Sequence, residues 1–211
     1  MVPTPDVHAF VCASLPPRPA RVLEIGAGDG TLAAALRDDG YDVLAIDPAG
    51  GDDILQVPLH ELDAPTHFFT AAVAVTSLHH VDPLDASIER LADLLPPGAP
   101  LVVDEFDVGR YDERAAGWWL SHGDHDHTAK ELVGDVRAHL HPVKRIAAAL
   151  EPWFAVSPPV RGPYLYRWNI DPALRGEEEE LIAAGKIPAT GARFIAIRGS
   201  RVPVAGRRPR A

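Results

Sequence analysis

Early in the chain, two carboxylates and three glycines are spaced so that they could hold a nucleoside-like ligand. Glu24, Gly26, Gly28 and Gly30 form acid-x-Gly-x-Gly-x-Gly within RVLEIGAGDGTL, and a second acid, Asp47, ends the next apolar run, VLAIDP. Glycines at alternate positions let the backbone turn sharply after a strand and approach a ligand more closely than any side chain would allow. A dinucleotide fingerprint needs Gly-x-Gly-x-x-Gly, with a pyrophosphate at the start of the next helix. Here the third glycine comes one residue early and Glu24 precedes the first. A carboxylate repels a pyrophosphate and attracts the ammonium of an amino-acid moiety, and Asp47 can accept hydrogen bonds from both hydroxyls of a ribose. The ligand so described carries an amino group and a ribose but no phosphate. A nicotinamide oxidoreductase would also use Asp47 on a ribose, but the glycine spacing and Glu24 count against it. The plainest alternative is an ordinary glycine turn in a βα unit.

These residues need a parallel sheet beneath them. Apolar runs bounded by turn signals predict strands at 21 to 26, 42 to 47, 54 to 57, 71 to 77, 100 to 105, 153 to 160 and 193 to 198. Apolar residues at helical spacing predict helices at 30 to 39, 83 to 95, 143 to 151 and 175 to 185. Strands that alternate with helices make an α/β fold with a sheet covered on both faces. Glu24 and Asp47 then stand at its carboxyl edge, where open α/β sheets hold ligands.

With those elements in place, the chain resembles the class I S-adenosylmethionine-dependent methyltransferases in four successive stretches: LEIGAGDG, VLAIDP, AAVAVTSLHHVDP and LLPPGAPLVVDEF. The last two are similar to the family's fourth strand, with its Leu-His-His ending, and its fifth strand, preceded by a Pro-Gly turn. The later stretches EELIAAGKI and GARFIAIR resemble the tail of small actinobacterial-type members. The resemblance implies a Rossmann-like three-layer sandwich with a seven-strand, mostly parallel sheet in the order 3-2-1-4-5-7-6, the last strand antiparallel. It implies S-adenosylmethionine as cofactor, which fits the ligand read from the acids and glycines. The chemistry implied is in-line displacement of an activated methyl group onto a small-molecule acceptor, with oxygen favoured as the nucleophile. A non-catalytic member that binds cofactor or a partner is the alternative.

Residue by residue, the resemblance assigns Glu24, Gly26, Ala27, Gly28, Gly30, Asp47 and Pro48 to the cofactor. Val57, Pro58 and Leu59 flank the adenine, and Thr76 and Ser77 lie beside the methionine moiety. Many relatives carry an acid after the third strand that accepts the adenine amino group; here Glu61 and Asp63 come a few residues late. His79 and His80 fall where methyl group and acceptor meet. His79 is the candidate general base, since an imidazole titrates near working pH. The competing account has one of the pair capping a helix that begins near Asp82.

The longest stretch between strands, residues 106 to 152, follows the fifth strand and reads as a lid or substrate wall. Trp118, Trp119, His122 and His125 are its candidate acceptor contacts; aromatic rings would exclude water from the reacting centre. Tyr164 and Tyr166 occupy alternate positions in PYLYRW, so an extended backbone would aim both to one side. Packing of both pairs against the core is the structural alternative. The cluster SHGDHDH could bind a divalent metal. Metal sites draw on rigid, separated elements, however, and this polar run reads as a solvated loop, so no metal is expected.

Length and composition fit one methyltransferase domain over residues 1 to 200, followed by a basic tail, 201 to 211, that reads as a frayed terminus. A net charge of −10 argues against a general nucleic-acid grip. The single cysteine, Cys12, cannot form an internal disulfide and fits a reducing compartment. With no long apolar stretch and no signal-peptide pattern, a cytoplasmic protein without a membrane contact is expected. Oligomeric state leaves no mark in the sequence.

Overall fold

A computed structural model of the chain describes residues 5–123 and 126–200. The expected strands appear as β1 (Arg21–Ile25), β2 (Asp42–Asp47), β3 (Leu55–Gln56), β4 (Ala71–Val75), β5 (Pro100–Phe106), β6 (Phe154–Val156), β7 (Val160–Gly162) and β8 (Gly191–Arg198). They form one sheet in the order β3-β2-β1-β4-β5-β8-β6, with β7 also on β8. Pairs from β3 through β5 are parallel, and β8 is antiparallel to β5, β6 and β7.

This is the expected order with one refinement: the stretch 153 to 160 is two strands along the same edge of β8. Pro158 and Pro159, which lack the N–H a ladder needs, break it. Ser157 bridges the gap, its backbone N donating to the Ile195 carbonyl at 2.9 Å and its hydroxyl accepting from Ile195 N at 3.0 Å.

The helices are α1 (Pro5–Ser14), α2 (Thr31–Asp38), α3 (Leu84–Leu94), α4 (Glu113–Leu120), α5 (Ala129–His139), α6 (Val143–Leu150) and α7 (Arg175–Ala183). Alternation along the strands sorts the core into two layers. On one face Val22, Val43, Ala45 and Val73 meet Val7 and Val11 of α1 and Leu32 and Leu36 of α2. On the other, Leu23, Ile25, Leu101 and Val103 meet Leu84, Ile88 and Leu91 of α3 and Ile146 and Leu150 of α6.

Three helices depart from the sequence expectation. α1 covers the sheet beside α2, although its apolar positions give little amphipathic signal. α4 and α5 lie inside the 106 to 152 segment, and both begin at side-chain caps. Asp112 accepts from the backbone N–H groups of Arg114 and Ala115, while Thr128 and Glu131 form a reciprocal capping box.

Candidate functional site

The strand order reverses between β1 and β4, and a cavity of about 470 Å³ opens there at the carboxyl edge. Of the residues assigned to a cofactor, Gly26, Gly28, Asp47, Pro48, Val57, Leu59, Thr76 and Ser77 line it, as does Pro58. The loop that delivers the glycines is tied to β2: the N–H groups of Gly26 and Ala27 both donate to the Ile46 carbonyl, at 2.9 and 3.0 Å. Gly26, with φ +69°, passes so close to Ser77 that a Cβ would lie 2.4 Å from the Ser77 Cβ. Gly28, with φ +57°, has no atom within 4 Å of where its Cβ would stand. The first glycine therefore lets two protein segments touch, and the second leaves room for something else.

Asp47 sits at the rim. Its Oδ2 accepts from Gly28 N at 3.0 Å and its Oδ1 from Ala49 N at 2.8 Å. A carboxylate has about four acceptor positions, so both oxygens keep capacity for a diol. Ala27 and Gly30 lie behind the loop: Ala27 is buried, and Gly30, in the left-handed region, precedes α2. Glu24 is deeper still, on the strand face turned toward α1 and α2 and outside the cavity lining. It is 3% exposed, and its Oε2 has no hydrogen-bond partner. Burial pushes its carboxyl up to about 8, partly offset by Arg37 and reinforced by Asp29.

Two residues that do line the cavity likewise carry polar atoms without partners. The Ser77 and Ser87 hydroxyls are both buried, and both residues line the hollow. Thr76 has φ +54°, a strained value for a β-branched residue, held by its N–H on the Asp104 carbonyl at 2.8 Å.

The two histidines after β4 part company. His79 is buried, with Nδ1 2.5 Å from Glu105 Oε2. Glu105 is itself 0% exposed and accepts the N–H groups of Ser77 and Leu78 on Oε1 and that of Phe106 on Oε2. His80, its ring 4.3 Å from that of His79, is the one that lines the cavity. Burial, then the neighbouring His79, lowers its pKa, with Glu105 opposing. The imidazole open to the hollow is thus the second of the pair, not the one singled out from sequence. Neither caps a helix with its side chain: Pro83 stands at the cap position of α3.

Of the aromatic residues expected to wall the acceptor, Trp118, Trp119 and Tyr164 join a third apolar cluster with Phe106, Tyr111 and Leu165. Trp119 is buried, stacks on Trp168 at 4.9 Å and donates from Nε1 to the Trp168 carbonyl at 2.7 Å. Tyr164 stacks on Phe106 at 4.8 Å, and Tyr166 is also buried. A short 3-10 turn, Leu165–Arg167, begins directly after Tyr164, so the backbone is not extended here and the two tyrosines do not share a face by alternation. Trp118 and His122 are part-exposed at the outer side, where Trp118 Nε1 donates to Glu177 Oε1 at 2.8 Å. None of these five lines the cavity. His125 lies outside the described residues.

Sequence reasoning passed over Asp82, Ser87 and Glu105. Ser87 sits on the apolar stripe of α3, one turn before Leu91, where a lone hydroxyl is a visible irregularity. Glu105 and Asp104 are adjacent acids inside an otherwise apolar strand, an equally visible sign of buried partners. Asp104 receives Arg167 Nη2 at 2.8 Å and Arg193 Nε at 2.6 Å, beside a second hollow of about 120 Å³ that Arg161 and Arg175 also line.

A methyltransferase-domain family model matches residues 6–132, more than half of the chain, and the protein belongs to that family. A curated relative, an uncharacterized methyltransferase of Staphylococcus carnosus strain TM300, is 34% identical over 106 residues, 44% of this chain. That match spans about half the length of the relative, 51%. Among solved structures, an S-adenosylmethionine-dependent methyltransferase of Mesorhizobium loti aligns with TM-score 0.63 and 18% identity over 93% of this chain and 99% of its own. The phosphoethanolamine N-methyltransferase 2 of Haemonchus contortus, in complex with S-adenosyl-L-methionine, aligns at 0.60 and 16% over 90% of this chain and 51% of its own. The [4+2]-cyclase SpnF aligns at 0.60 and 16% over 92% and 81%. At such identities the structures establish a shared fold and no more.

Proposed function

We propose that the chain binds S-adenosylmethionine at the carboxyl edge of β1, β2 and β4 and transfers its methyl group to a small-molecule acceptor, with oxygen as the favoured nucleophile. One observation carries this reading: a hollow of ligand size is bordered by a carboxylate with spare acceptor capacity, by an unobstructed glycine and by unpartnered buried hydroxyls. Its volume lies within the range of about 300–1,000 Å³ usual for small-ligand sites. Buried hydroxyls without partners in a native fold call for an explanation, and a polar ligand supplies one.

Asp47 would take the ribose diol, Val57, Pro58 and Leu59 the base, and Gly26, Gly28, Thr76 and Ser77 the amino-acid end. Asp82, at the cavity wall, offers the base an acceptor in place of Glu61 or Asp63. Glu24, neutral in the free chain, would ionise as the ammonium settles above the loop and then act on it as a charge and not as a contact. The bound sulfonium supplies an already activated methyl group. What remains for the protein is to align donor and acceptor, a contribution of roughly 7–11 kcal/mol in favourable intramolecular models.

His80 is the better placed base, and its lowered pKa keeps it neutral and able to accept a proton at pH 7. His79, fixed by Glu105, would position it. Trp118 and His122 remain the part-exposed lid residues that could meet an acceptor, whereas Trp119, Tyr164 and Tyr166 build the lid itself. The acceptor panel should include carboxylates, because the hollow beside Asp104 is rich in arginine.

Formation of S-adenosylhomocysteine by the purified protein, offered phenols, carboxylates and amines, tests the proposal. Turnover with any of them supports it; tight cofactor binding with no turnover on a broad panel favours the non-catalytic alternative. His80→Ala should then slow turnover about 10²-fold, within the usual range for loss of a general base, while His79→Ala should slow it less and lower stability more.

A further inference from the structure

On the far side of the sheet from the cavity opening, α1 and the end of α2 bring together three side chains that methyl transfer does not use. His8 and Cys12 lie one turn apart on α1, and Asp39 follows the last turn of α2. His8 Nε2 is 2.9 Å from Asp39 Oδ2; Cys12 Sγ is 3.3 Å from the same oxygen and 3.5 Å from His8 Nε2. Among the described residues, this is the one place where three potential metal ligands of these types converge.

The spacing is close to that of a metal's coordination shell. Tetrahedral zinc, with bonds of about 2.0 Å to nitrogen or oxygen and about 2.3 Å to sulfur, sets its ligand atoms roughly 3.3–3.6 Å apart. The two edges that involve sulfur already fall near this value, and the His–Asp edge needs to open by only a few tenths of an ångström. The ligands also stand on separate, anchored elements: Val7 and Val11 hold α1 in the core, and Leu36 holds the end of α2. The His8 and Asp39 side chains are 32% and 38% exposed, enough for an ion and a water to enter.

We propose that His8 Nε2, Cys12 Sγ and Asp39 Oδ2 form a site for a zinc-class divalent cation, completed by water. The mixed sulfur, nitrogen and oxygen set suits zinc or cobalt and not magnesium or calcium, which take oxygen ligands. Binding forms a metal–sulfur bond and breaks the S–H bond, with the thiol proton released to solvent; His8 ligates through the Nε2 lone pair with its hydrogen on Nδ1. A thiolate and a carboxylate bring two negative charges, against the one positive charge of Arg18, whose guanidinium donates to the Asp39 carbonyl. Asp39 precedes β2, so the site lies at the amino edge of the sheet, where a metal would clamp α1 to α2 and take no part in chemistry at the opposite edge.

Cobalt titration of the full chain tests this, because a thiolate ligand gives cobalt a near-ultraviolet charge-transfer band. We expect that band together with four-coordinate visible bands, saturating at about one metal per chain and bleached by zinc. Cys12→Ser should abolish it and Asp39→Asn should weaken cobalt binding at least tenfold, with metal-free melting of both variants close to the parent. His139→Ala, at an exposed histidine of α5, should leave the cobalt spectrum unchanged. Absence of the band at saturating cobalt, its persistence in Cys12→Ser, or its loss in His139→Ala would each overturn the assignment. If Cys12→Ser fails to fold, the parent spectrum and Asp39→Asn decide.

Discussion

At the carboxyl edge of β1, β2 and β4 the chain presents backbone and leaves polar side-chain atoms without partners, whereas the segment over β5 interlocks aromatic rings and pairs their polar ends. The crevice holds the unpartnered oxygens of Ser77 and Ser87, with that of Glu24 beneath. In the aromatic cluster both adjacent tryptophans donate from Nε1, and Glu178 accepts three successive N–H groups at 164 to 166; the Tyr111 hydroxyl and Arg167 Nε are exceptions. Aromatic content, which suggested a lid from the sequence, marks packing here. Unmet hydrogen-bonding capacity beside an open hollow sets the crevice apart from that packing and is what the proposed ligand would satisfy.

Two substitutions should separate these regions sharply. Gly28→Val has the largest expected effect: a Cβ there meets no atom within 4 Å, and the added side chain at the cavity lining would occupy space that the proposed cofactor needs. Calorimetric titration should show affinity lowered at least about a thousandfold, roughly 4 kcal/mol. The positive φ should cost about 1–2 kcal/mol of stability. Unchanged affinity would remove the glycine loop from the site. Trp119→Ala should do the converse, lowering urea-unfolding stability by about 3–5 kcal/mol through the cavity it leaves, with cofactor affinity within about twofold of the parent. Normal stability with impaired cofactor binding would dissolve the contrast.

The features legible in the sequence are those with a local cause. Apolar runs between turn signals marked the strands; the glycines and Asp47, with the residues that the family resemblance added to them, included eight that do line one cavity. The two-strand edge along β8 was half visible in the SPP break. Features that depend on direction in space were not legible. Nothing in the His-His pair says which ring faces inward: that is decided by Glu105, 26 residues away, which captures His79 and leaves His80 outward. Likewise, Glu24 alternates onto the α2 face because the strand pleat sends it there, and the motif alone places it beside the ligand. The helices α4 and α5 could have been read from their caps, but charged and small residues interrupt the apolar period between them.

Glu24→Gln sharpens the comparison from beneath the crevice, with an intermediate effect. The folded chain holds a proton on this carboxyl up to about pH 8, whereas the unfolded chain releases it near its ordinary value of 4.5. The folded state thus binds the extra proton between those values, and stability is full below about 4.5 and falls as pH rises to about 8. Glutamine carries no such loss. Between pH 5 and pH 9 the parent should lose roughly 2–4 kcal/mol more than the variant in urea midpoints converted to free energy. Parallel pH profiles would show that Glu24 is not held neutral. With saturating cofactor the gap should narrow, because an ammonium nearby favours the ionised carboxylate.

The smallest expected effect falls on the outer side of α4, where Trp118 meets Glu177. Trp118→Phe keeps a ring against His122 and removes only the Nε1 bond to a half-exposed carboxylate. Such a bond is worth about 0.5–1.5 kcal/mol, and solvent access at this rim should hold the loss to the lower end. That figure is small enough for function to be read separately. If Trp118 only fastens α4 to α7, KM for an acceptor and the S-adenosylhomocysteine rate should both stay near the parent. If this outer side is the acceptor wall, KM should rise several-fold with stability nearly unchanged, and the division between an open crevice and a packed aromatic segment would have to be drawn through Trp118 and Trp119.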